Sequence, residues 1–273
     1  MDTPAVARGV LFCEQDLREP TPVALAGGTA WVFTTRAPDK ATFNEDAAAV
    51  LPYGEQAGLL VVADGVGGRP VGAEAARRAL VALEESLSDG RESGLPLRVA
   101  VLDGIERANR ELLELGTGSA TTLAVAQIRE RHVRPYHVGD SMILHVGQRG
   151  KLRHLTVSHS PVGYAYEAGL LDEKEALHHE DRHFVSNTIG APDMHITIGS
   201  SAPLRPRDTL LVASDGLADN FTTEELKERI RTGPLWAVAR SLADQSRQRM
   251  LEPRQDQPGK IDDLTLIVFR LDR

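Results

Sequence analysis

The sequence has a single cysteine, Cys13, among 273 residues, so an internal disulfide is excluded. A lone cysteine fits a reducing compartment, and we expect a cytoplasmic protein. Basic residues are also in the minority, because 31 Lys and Arg stand against 39 Asp and Glu and leave a formal net charge of −8. This balance argues against a general affinity for nucleic acid, which depends on basic surface.

Long apolar segments are missing as well. No uncharged apolar run approaches the roughly 20 residues that a membrane helix needs, and residues 1–9 lack the basic and then apolar pattern of a signal peptide. The contents of 41% hydrophobic and 26% charged residues are ordinary for a soluble globular protein. We therefore expect no membrane partner, and the sequence leaves the oligomeric state open.

The order of the predicted elements indicates an α+β fold. Apolar runs at 30–35 and 121–128 predict strands. Residues 73–87 and 96–115 carry apolar side chains at helical spacing. The strands follow one another as hairpins and not in βαβ alternation, so we expect antiparallel sheets covered by helices. Without a repeat or a low-complexity linker, residues 1–273 are predicted to form one domain.

Other parts of the chain carry weaker patterns. Residues 1–28 are weakly patterned, with strand character at 9–13 and a Pro/Gly-rich passage at 20–28. Residues 158–195 are polar, rich in histidine and without a clear period. A loop of that length inside a domain is usually a functional flap. Strand character resumes at 195–199.

Residues 58–68, Gly-Leu-Leu-Val-Val-Ala-Asp-Gly-Val-Gly-Gly, are the most informative stretch. A short apolar strand ends at Asp64, and glycines follow that let the backbone approach a ligand closely. The Asp64 carboxylate is thus expected to face a cleft beside accessible carbonyl oxygens. Such oxygen ligands hold Mg²⁺ or Mn²⁺ with room left for water. Taken alone, a tight turn would be the simpler explanation.

Acidic residues recur at predicted strand ends elsewhere in the chain. These further sites contain Asn44-Glu45-Asp46, Asp140, Asp215 and Asp262-Asp263. Acidic groups without Cys or His among them favour oxygen-liking metals over zinc or copper. Two such ions can share a carboxylate and a water, lower the pKa of that water and neutralise phosphate oxygens. Phosphate-ester hydrolysis needs this electrostatic help, so the pattern predicts a metal-dependent hydrolase.

Six motifs follow one another between about residue 30 and the C-terminus. They are 44–46 (Asn-Glu-Asp), 63–68 (Ala-Asp-Gly-Val-Gly-Gly), 118–122 (Gly-Ser-Ala-Thr-Thr), 138–141 (Val-Gly-Asp-Ser), 214–217 (Ser-Asp-Gly-Leu) and 262–265 (Asp-Asp-Leu-Thr). This ordered set resembles metal-dependent serine/threonine protein phosphatases of the PPM (type 2C) family, in the bacterial branch. The resemblance implies a four-layer α-β-β-α sandwich, two mainly antiparallel sheets flanked by helices, with a metal centre at one end.

The resemblance also implies roles for single residues. Asp64 would bridge two core ions, Mn²⁺ or Mg²⁺, and Gly65 would contribute its carbonyl oxygen. Asp215 and Asp262 would complete the coordination of one of these ions. Catalysis would then act through a water that bridges the two metals.

The second core ion and a third ion involve other acids. Asp46, with Glu45 beside it, would hold the second ion directly or through water. Asp140, together with Asp215, matches the acidic pair that binds a third, weaker ion in bacterial members.

Two positions depart from the family pattern. Many members carry an arginine that grips the substrate phosphate five residues before Asp46, where this chain has Ala41; Lys40 or Arg36 could only be stand-ins. Lysine lacks the bidentate fork of arginine, so a weaker phosphate site is expected. Val66 stands where animal members have a histidine proposed as general acid, so no general acid is assigned.

The resemblance implies phosphoserine and phosphothreonine in proteins as substrates. Phosphoproteins made by a serine/threonine kinase are the expected partners. Residues 158–189 resemble the flap that contacts the substrate in this family.

Two alternatives belong to other functional classes. The pattern His179-Glu180-x-x-His183 matches the H-E-x-x-H motif of zinc proteases, which requires a helix and a third ligand downstream. Its surroundings are only weakly helical. The absence of arginine at position 41 allows a catalytically impaired phosphatase-fold module that senses a partner. The five acidic sites at predicted strand ends argue against such a binding module, because it has no need to keep buried like charges together.

Overall fold

The computed structural model describes residues 8–66, 70–254 and 257–272. The strands are β1 (Val10–Cys13), β2 (Thr21–Leu25), β3 (Gly28–Thr35), β4 (Asp46–Gly54), β5 (Ala57–Val66), β6 (Ala120–Thr121), β7 (Leu123–Arg129), β8 (His132–Val138), β9 (Met142–Val146), β10 (Leu152–Leu155), β11 (Thr197–Ile198), β12 (Ala202–Pro203), β13 (Thr209–Ala213) and β14 (Leu264–Leu271). The helices are α1 (Pro70–Glu92), α2 (Leu97–Leu115), α3 (Pro161–Glu167), α4 (Glu173–His178), α5 (Asp215–Ala218), α6 (Thr223–Ile230) and α7 (Leu235–Leu251).

The described strands form two antiparallel sheets. The first has the order β1-β4-β5-β7-β8-β11, and β6 and β12 pair with β5 and β8. The second has the order β10-β9-β13-β14-β3-β2. Neighbouring strands pair antiparallel in both sheets, as the hairpin order of the sequence predicts.

The apolar run of β5 is continuous because both of its faces are covered. Leu60 and Val62 pack in a core shared with the second sheet, which includes Val212 and Ile267. Leu59, on the opposite face, packs in a different core against the helices. Continuous apolar runs are expected where a strand is buried on both sides.

Helices cover the outer face of each sheet. Leu83 of α1 and Ile105 of α2 lie in the core beside the first sheet. Leu226 of α6 and Leu242 of α7 lie in the core beside the second sheet. The layers are therefore α-β-β-α, which confirms the predicted fold class.

Residues 158–195 contain more regular structure than the sequence predicts. Ser160 caps α3 by accepting from Gly163 N, and Asp172 caps α4 in a capping box with Glu175. A 3₁₀ turn, Glu180–His183, follows. Val162 is the one buried residue of α3, and α4 has none. Since these helices bury almost no apolar face, they leave no periodic signal.

Strand prediction was least accurate near the sheet edges. The run expected at 195–199 reduces to the two residues of β11, and β2 lies within the passage considered Pro/Gly-rich. β2 stands at the edge of the second sheet, where Pro22 is tolerated because an edge strand has a free side.

No helix within the described residues combines the length and the apolar character needed to cross a membrane.

Candidate metal centre

Asp46 and Asp64 face each other across two neighbouring strands. Asp46 begins β4 and is the register partner of Asp64, near the end of β5. The backbone N–H of Asp64 donates to Thr122 Oγ1 at 3.1 Å, and Thr121 Oγ1 donates to the Asp64 carbonyl at 2.9 Å. These bonds hold the end of β5 in place, so the first sheet presents two carboxylates at one end.

The second sheet presents Asp215 and Asp262 at the same end. Asp215 lies just beyond β13 and Asp262 just before β14, and these two strands are hydrogen-bonded neighbours. Ser214 joins the sheets, because its hydroxyl donates to Asp46 Oδ2 at 2.6 Å. The charges that act most strongly on Asp64 are Asp46, Asp215 and Asp262, followed by Asp140. We call Asp46, Asp64, Asp140, Asp215 and Asp262 the acidic cluster.

Asp140 reaches the cluster from the turn between β8 and β9. Gly139 has φ +102°, a left-handed conformation that favours glycine, and this orients the turn. The carboxylate of Asp140 interacts most strongly with those of Asp215 and Asp219.

Glu45 and Gly65 present oxygens to a shared space beside Gly72 of α1. A side chain at Gly72 would place its first carbon 2.7 Å from Glu45 Oε1 and 2.9 Å from the Gly65 carbonyl oxygen. The backbone N–H of Gly65 donates to the Glu45 carbonyl at 3.1 Å. Glycine at both positions thus permits the close approach of β5 and α1 and leaves this oxygen-lined space open.

Burial raises the pKa values of the cluster. It raises those of Asp46 and Asp64 well above the usual range, and neighbouring carboxylates add to the effect. Burial, followed by the charge of Asp215, raises the pKa of Asp140 to about 8 and that of Asp262 to about 6. The pKa of Asp215 is also raised, mainly by burial. Without added cations, burial and mutual repulsion therefore oppose the simultaneous ionisation of these carboxylates, and the pKa of Asp140 lies above neutrality.

The donor set fits a hard divalent cation. Glu45 Oε1, Asp140 Oδ1 and Asp215 Oδ1 are buried and have no hydrogen-bond partner among the described residues. Such orphaned acceptors are rare in folded proteins because they lose their water without compensation. A ligand set made only of oxygens is typical of Mg²⁺ and Mn²⁺ sites.

A lysine lies inside the cluster. The Lys260 ammonium contacts Asp215, lies 3.0 Å from Asp262 Oδ2 and lies 3.3 Å from Asp219 Oδ2. Within the described ranges, no three His, Cys, Asp or Glu side chains are arranged as a ready set of ligands for one metal ion. The carboxylates are thus gathered at one end of the sheets but are not in a coordination geometry.

The two basic residues predicted to replace the phosphate-binding arginine are engaged in ion pairs. Lys40 Nζ lies 2.6 Å from Asp263 Oδ2 and 2.7 Å from Glu45 Oε2. Arg36 pairs with Asp16 at 3.2 Å. Lys40 is therefore adjacent to the cluster, whereas Arg36 has a separate partner.

Asp263 is a positioning residue that the sequence identified only as a neighbour of Asp262. Its carboxylate accepts from Ala37 N and Glu45 N, both at 2.7 Å, in addition to its ion pair with Lys40. It thereby fixes the loop that leads into β4. The sequence signal that could have identified Asp263 is its place directly after Asp262, a candidate metal ligand.

His159 connects residues 158–195 to the turn that carries Asp140. Its backbone N–H donates to the Gly139 carbonyl at 3.0 Å, and its Nδ1 accepts from Gly139 N at 3.1 Å. The ring also contacts Asn187 and Thr197 at 2.9 Å each. Burial, followed by the charges of neighbouring histidines, lowers the pKa of His159 to about 4, so its ring is neutral.

A cavity of about 600 Å³ opens beside the acidic cluster. Asp140, Asp215 and Asp219 line one side, and Val162 and Tyr166 of α3 line another. The segment predicted to be a flap therefore forms part of the cavity wall next to the cluster.

The structure does not support the zinc-protease alternative. Glu180 and His183 are exposed on the 3₁₀ turn, and His179 precedes that turn in extended conformation. The continuous helix that would bring both histidines to one face is therefore absent from these described residues.

Comparison with known proteins identifies relatives of this chain. The family model described as protein phosphatase 2C matches residues 35–254. The protein phosphatase PhpP of Streptococcus pneumoniae is 30% identical over 198 residues, which cover 69% of this chain and 79% of PhpP.

Solved structures share the fold. The S. agalactiae serine/threonine phosphatase has a TM-score of 0.74 at 25% identity, covering 89% of this chain and 99% of that one. The catalytic domain of the serine threonine protein phosphatase PstP, in complex with two manganese ions, has a TM-score of 0.68 at 22% identity and covers 88% and 96% of the two chains. With the family model matching most of its length, this chain belongs to the protein phosphatase 2C family, in the bacterial branch of serine/threonine phosphatases.

Proposed function

We propose that this protein hydrolyses phosphoserine and phosphothreonine in other proteins with the help of divalent metal ions held by the acidic cluster. The observation that carries this proposal is the meeting of carboxylates from five separate segments around buried oxygens that lack partners. Membership of the protein phosphatase 2C family supports the same reaction.

The residues that we expect to bind the first ion are Asp64, Asp215 and Asp262. Asp64 would also contact the second ion, together with the Gly65 carbonyl oxygen. The position of Asp64 among the other carboxylates supports this bridging role.

Other acids complete the proposed sites. Asp46 would contribute to the second ion, with Glu45 beside it. Asp140 and Asp215 would hold a third and weaker ion. The all-oxygen donor set favours Mn²⁺ or Mg²⁺, and PstP, a structural neighbour, was solved with two manganese ions.

The chain's own residues would prepare the site for reaction. When bound, divalent ions activate a water as the nucleophile and offset the charge of the phosphate. Ser214 keeps Asp46 oriented through its 2.6 Å hydrogen bond, and Asp263 fixes the loop before Asp46. The orientation of Asp46 and of its loop is thereby set before a metal ion binds.

We infer that the phosphate is held less firmly than in members with arginine at position 41. Lys40 stands next to the cluster but pairs with both Glu45 and Asp263. These two partners engage two of the three donors of the Lys40 ammonium, which leaves at most one N–H for a phosphate.

We further infer that residues 1–273 act as one phosphatase domain and that residues 158–195 contact the substrate. The exposed side chains of Tyr164, Leu170 and Phe184 support such a contact. Phosphoproteins made by a serine/threonine kinase are the proposed substrates.

The test is turnover of a phosphothreonine peptide titrated with Mn²⁺ and Mg²⁺. We expect no turnover with a chelator, recovery with metal, and a loss of at least about 100-fold in Asp64→Asn. Asp103→Asn, on the exposed face of α2, is the matched control and should behave as wild type. Turnover that is unchanged by the chelator, or near-normal turnover by Asp64→Asn, would contradict the proposal.

A further inference from the structure

Lys260 is held in place by a buried asparagine. Its backbone N–H donates to Asn220 Oδ1 at 3.0 Å, and Asn220 Nδ2 donates to the Lys260 carbonyl at 2.9 Å. Asn220 is fully buried and also donates to the Gly216 carbonyl at 2.9 Å. The backbone of Lys260 is thereby fixed to α5, the helix that begins with Asp215.

The loop around Lys260 is also attached to residues 158–195. Arg182 Nη2, from the 3₁₀ turn, donates to the Gly259 carbonyl at 3.1 Å. The backbone at Lys260 is therefore held on both sides, so any withdrawal from the acids is a movement of its side chain.

The Lys260 ammonium serves as the counter-ion of three carboxylates. It contacts Asp215, Asp262 and Asp219, and only 16% of the side chain is exposed. A cation so enclosed offsets much of the repulsion among these acids. An ordinary surface ion pair would contribute far less.

Two of these partners are the acids proposed for the first metal ion. Lys260 contacts Asp215 and Asp262 through their Oδ2 atoms, so a divalent ion bound to these carboxylates would lie close to the ammonium. The two cations would also repel each other strongly at such short range.

We propose that Lys260 is a tethered cation that fills the Asp215–Asp262 metal position in the metal-free protein and withdraws when a divalent ion binds. This inference rests on the proposed metal-dependent function. It adds that metal binding is an exchange of cations, in which the chain's own lysine sets the concentration of metal required.

The first test is the affinity for Mn²⁺, measured by calorimetry without substrate. Lys260→Met should bind the tightest Mn²⁺ about tenfold more strongly than wild type, because the competing charge is gone. Lys260→Arg, which retains the charge, should stay within a few-fold of wild type. Lys227→Met is the matched control, since Lys227 is 15% exposed and pairs with Glu224 on α6, and it should leave the affinity unchanged.

A second prediction concerns the melting temperature of the metal-free protein. With chelator present, Lys260→Met should melt roughly 5 °C below wild type, since three carboxylates lose their counter-ion. Excess Mn²⁺ should remove most of that difference.

Withdrawal of the lysine is tested on the wild-type protein by acetylation and mass spectrometry. Lys260 should be protected in chelator and should become several-fold more reactive at saturating Mn²⁺, whereas Lys227 should not change. A lysine that stays protected with Mn²⁺ bound, or a Lys260→Met variant that binds Mn²⁺ no more tightly than wild type, overturns the exchange. In either case Mn²⁺ still binds and the proposed function stands, whereas a failure of every variant to bind Mn²⁺ rejects both.

Discussion

Single residues around the acidic cluster have separable tasks. Asp46, Asp64 and Asp215 present oxygens, whereas Ser214 and Asp263 hold other groups in position. The distinction matters for mutagenesis. A side chain that only offers an oxygen to a metal ion can be replaced without unfolding the protein, whereas removal of a buried positioning side chain leaves its hydrogen-bond donors without an acceptor.

Asp263→Ala should lower the free energy of unfolding by about 2–3 kcal/mol, because the Ala37 and Glu45 N–H groups lose their acceptor and the Lys40 ammonium loses one of its two carboxylate partners. Urea unfolding with chelator present measures the effect, and Asp103→Ala on exposed surface is the control. Equal midpoints for the two variants would show that Asp263 does not fix the loop.

Ala41→Arg should lower KM for a phosphopeptide about fivefold, because position 41 is exposed and arginine can bind phosphate through two parallel hydrogen bonds. Ala41→Gln provides similar length without charge. If both variants share the wild-type KM, this position does not reach the phosphate.

Among the elements, the connection between the Asp140 turn and residues 158–195 depends on one neutral histidine. His159 Nδ1 accepts from Gly139 N, which an imidazolium could not do. His137 and His195 lie with ring centroids 4.3 and 5.0 Å from that of His159, so a charge on one ring would disfavour a charge on the others.

His159→Gln tests this connection through its pH dependence. Because the folded pKa of His159 is lowered to about 4, its stabilising contribution is present above the unfolded value near 6.5 and is lost as the pH falls toward 4. The stability advantage of wild type over the variant should therefore be larger at pH 7 than at pH 5. A constant difference between the two urea midpoints would rule out this role.

Elements with a buried apolar face could be predicted from the sequence, and those without one could not. The two long helices and the central strands of both sheets were recovered because Leu83, Ile105 and their neighbours recur with the period of the element. α3 and α4 depend on their caps at Ser160 and Asp172, and β11 depends on pairing with β8. Such local and long-range bonds leave little trace in hydrophobic patterning.

The sequence likewise identified some residues of the candidate site and missed others. The strand-end acids were identifiable because Asp64 and Asp215 each follow an apolar run and precede glycine. Lys260 and Asn220 were not identified, because their importance comes from contacts between distant segments. Metal binding by these acids is the central proposal.

For the whole molecule, gathering carboxylates from two sheets opposes folding unless cations are present. The raised pKa values, about 6 for Asp262 and about 8 for Asp140, mean that the folded state retains protons that the unfolded chain releases near pH 4. The contribution of these groups to stability therefore declines as the pH rises from about 4 to 8.

Mn²⁺ should offset this decline. The gain in melting temperature from chelator to excess Mn²⁺ is expected to be larger at pH 8 than at pH 6, because ionised carboxylates bind the metal better. Scanning calorimetry at both pH values measures this gain, and Asp64→Asn serves as the variant of reduced affinity for Mn²⁺. An equal gain in melting temperature at the two pH values would show that Mn²⁺ does not bind to the acidic cluster.

The most direct test of the central claim is the anomalous scattering of manganese in crystals grown with Mn²⁺. We expect at least two strong peaks within the acidic cluster, one between Asp64, Asp215 and Asp262 and one beside Asp46 and the Gly65 carbonyl. Crystals that contain manganese elsewhere, or none, with the cluster closed around the Lys260 ammonium, would contradict the account.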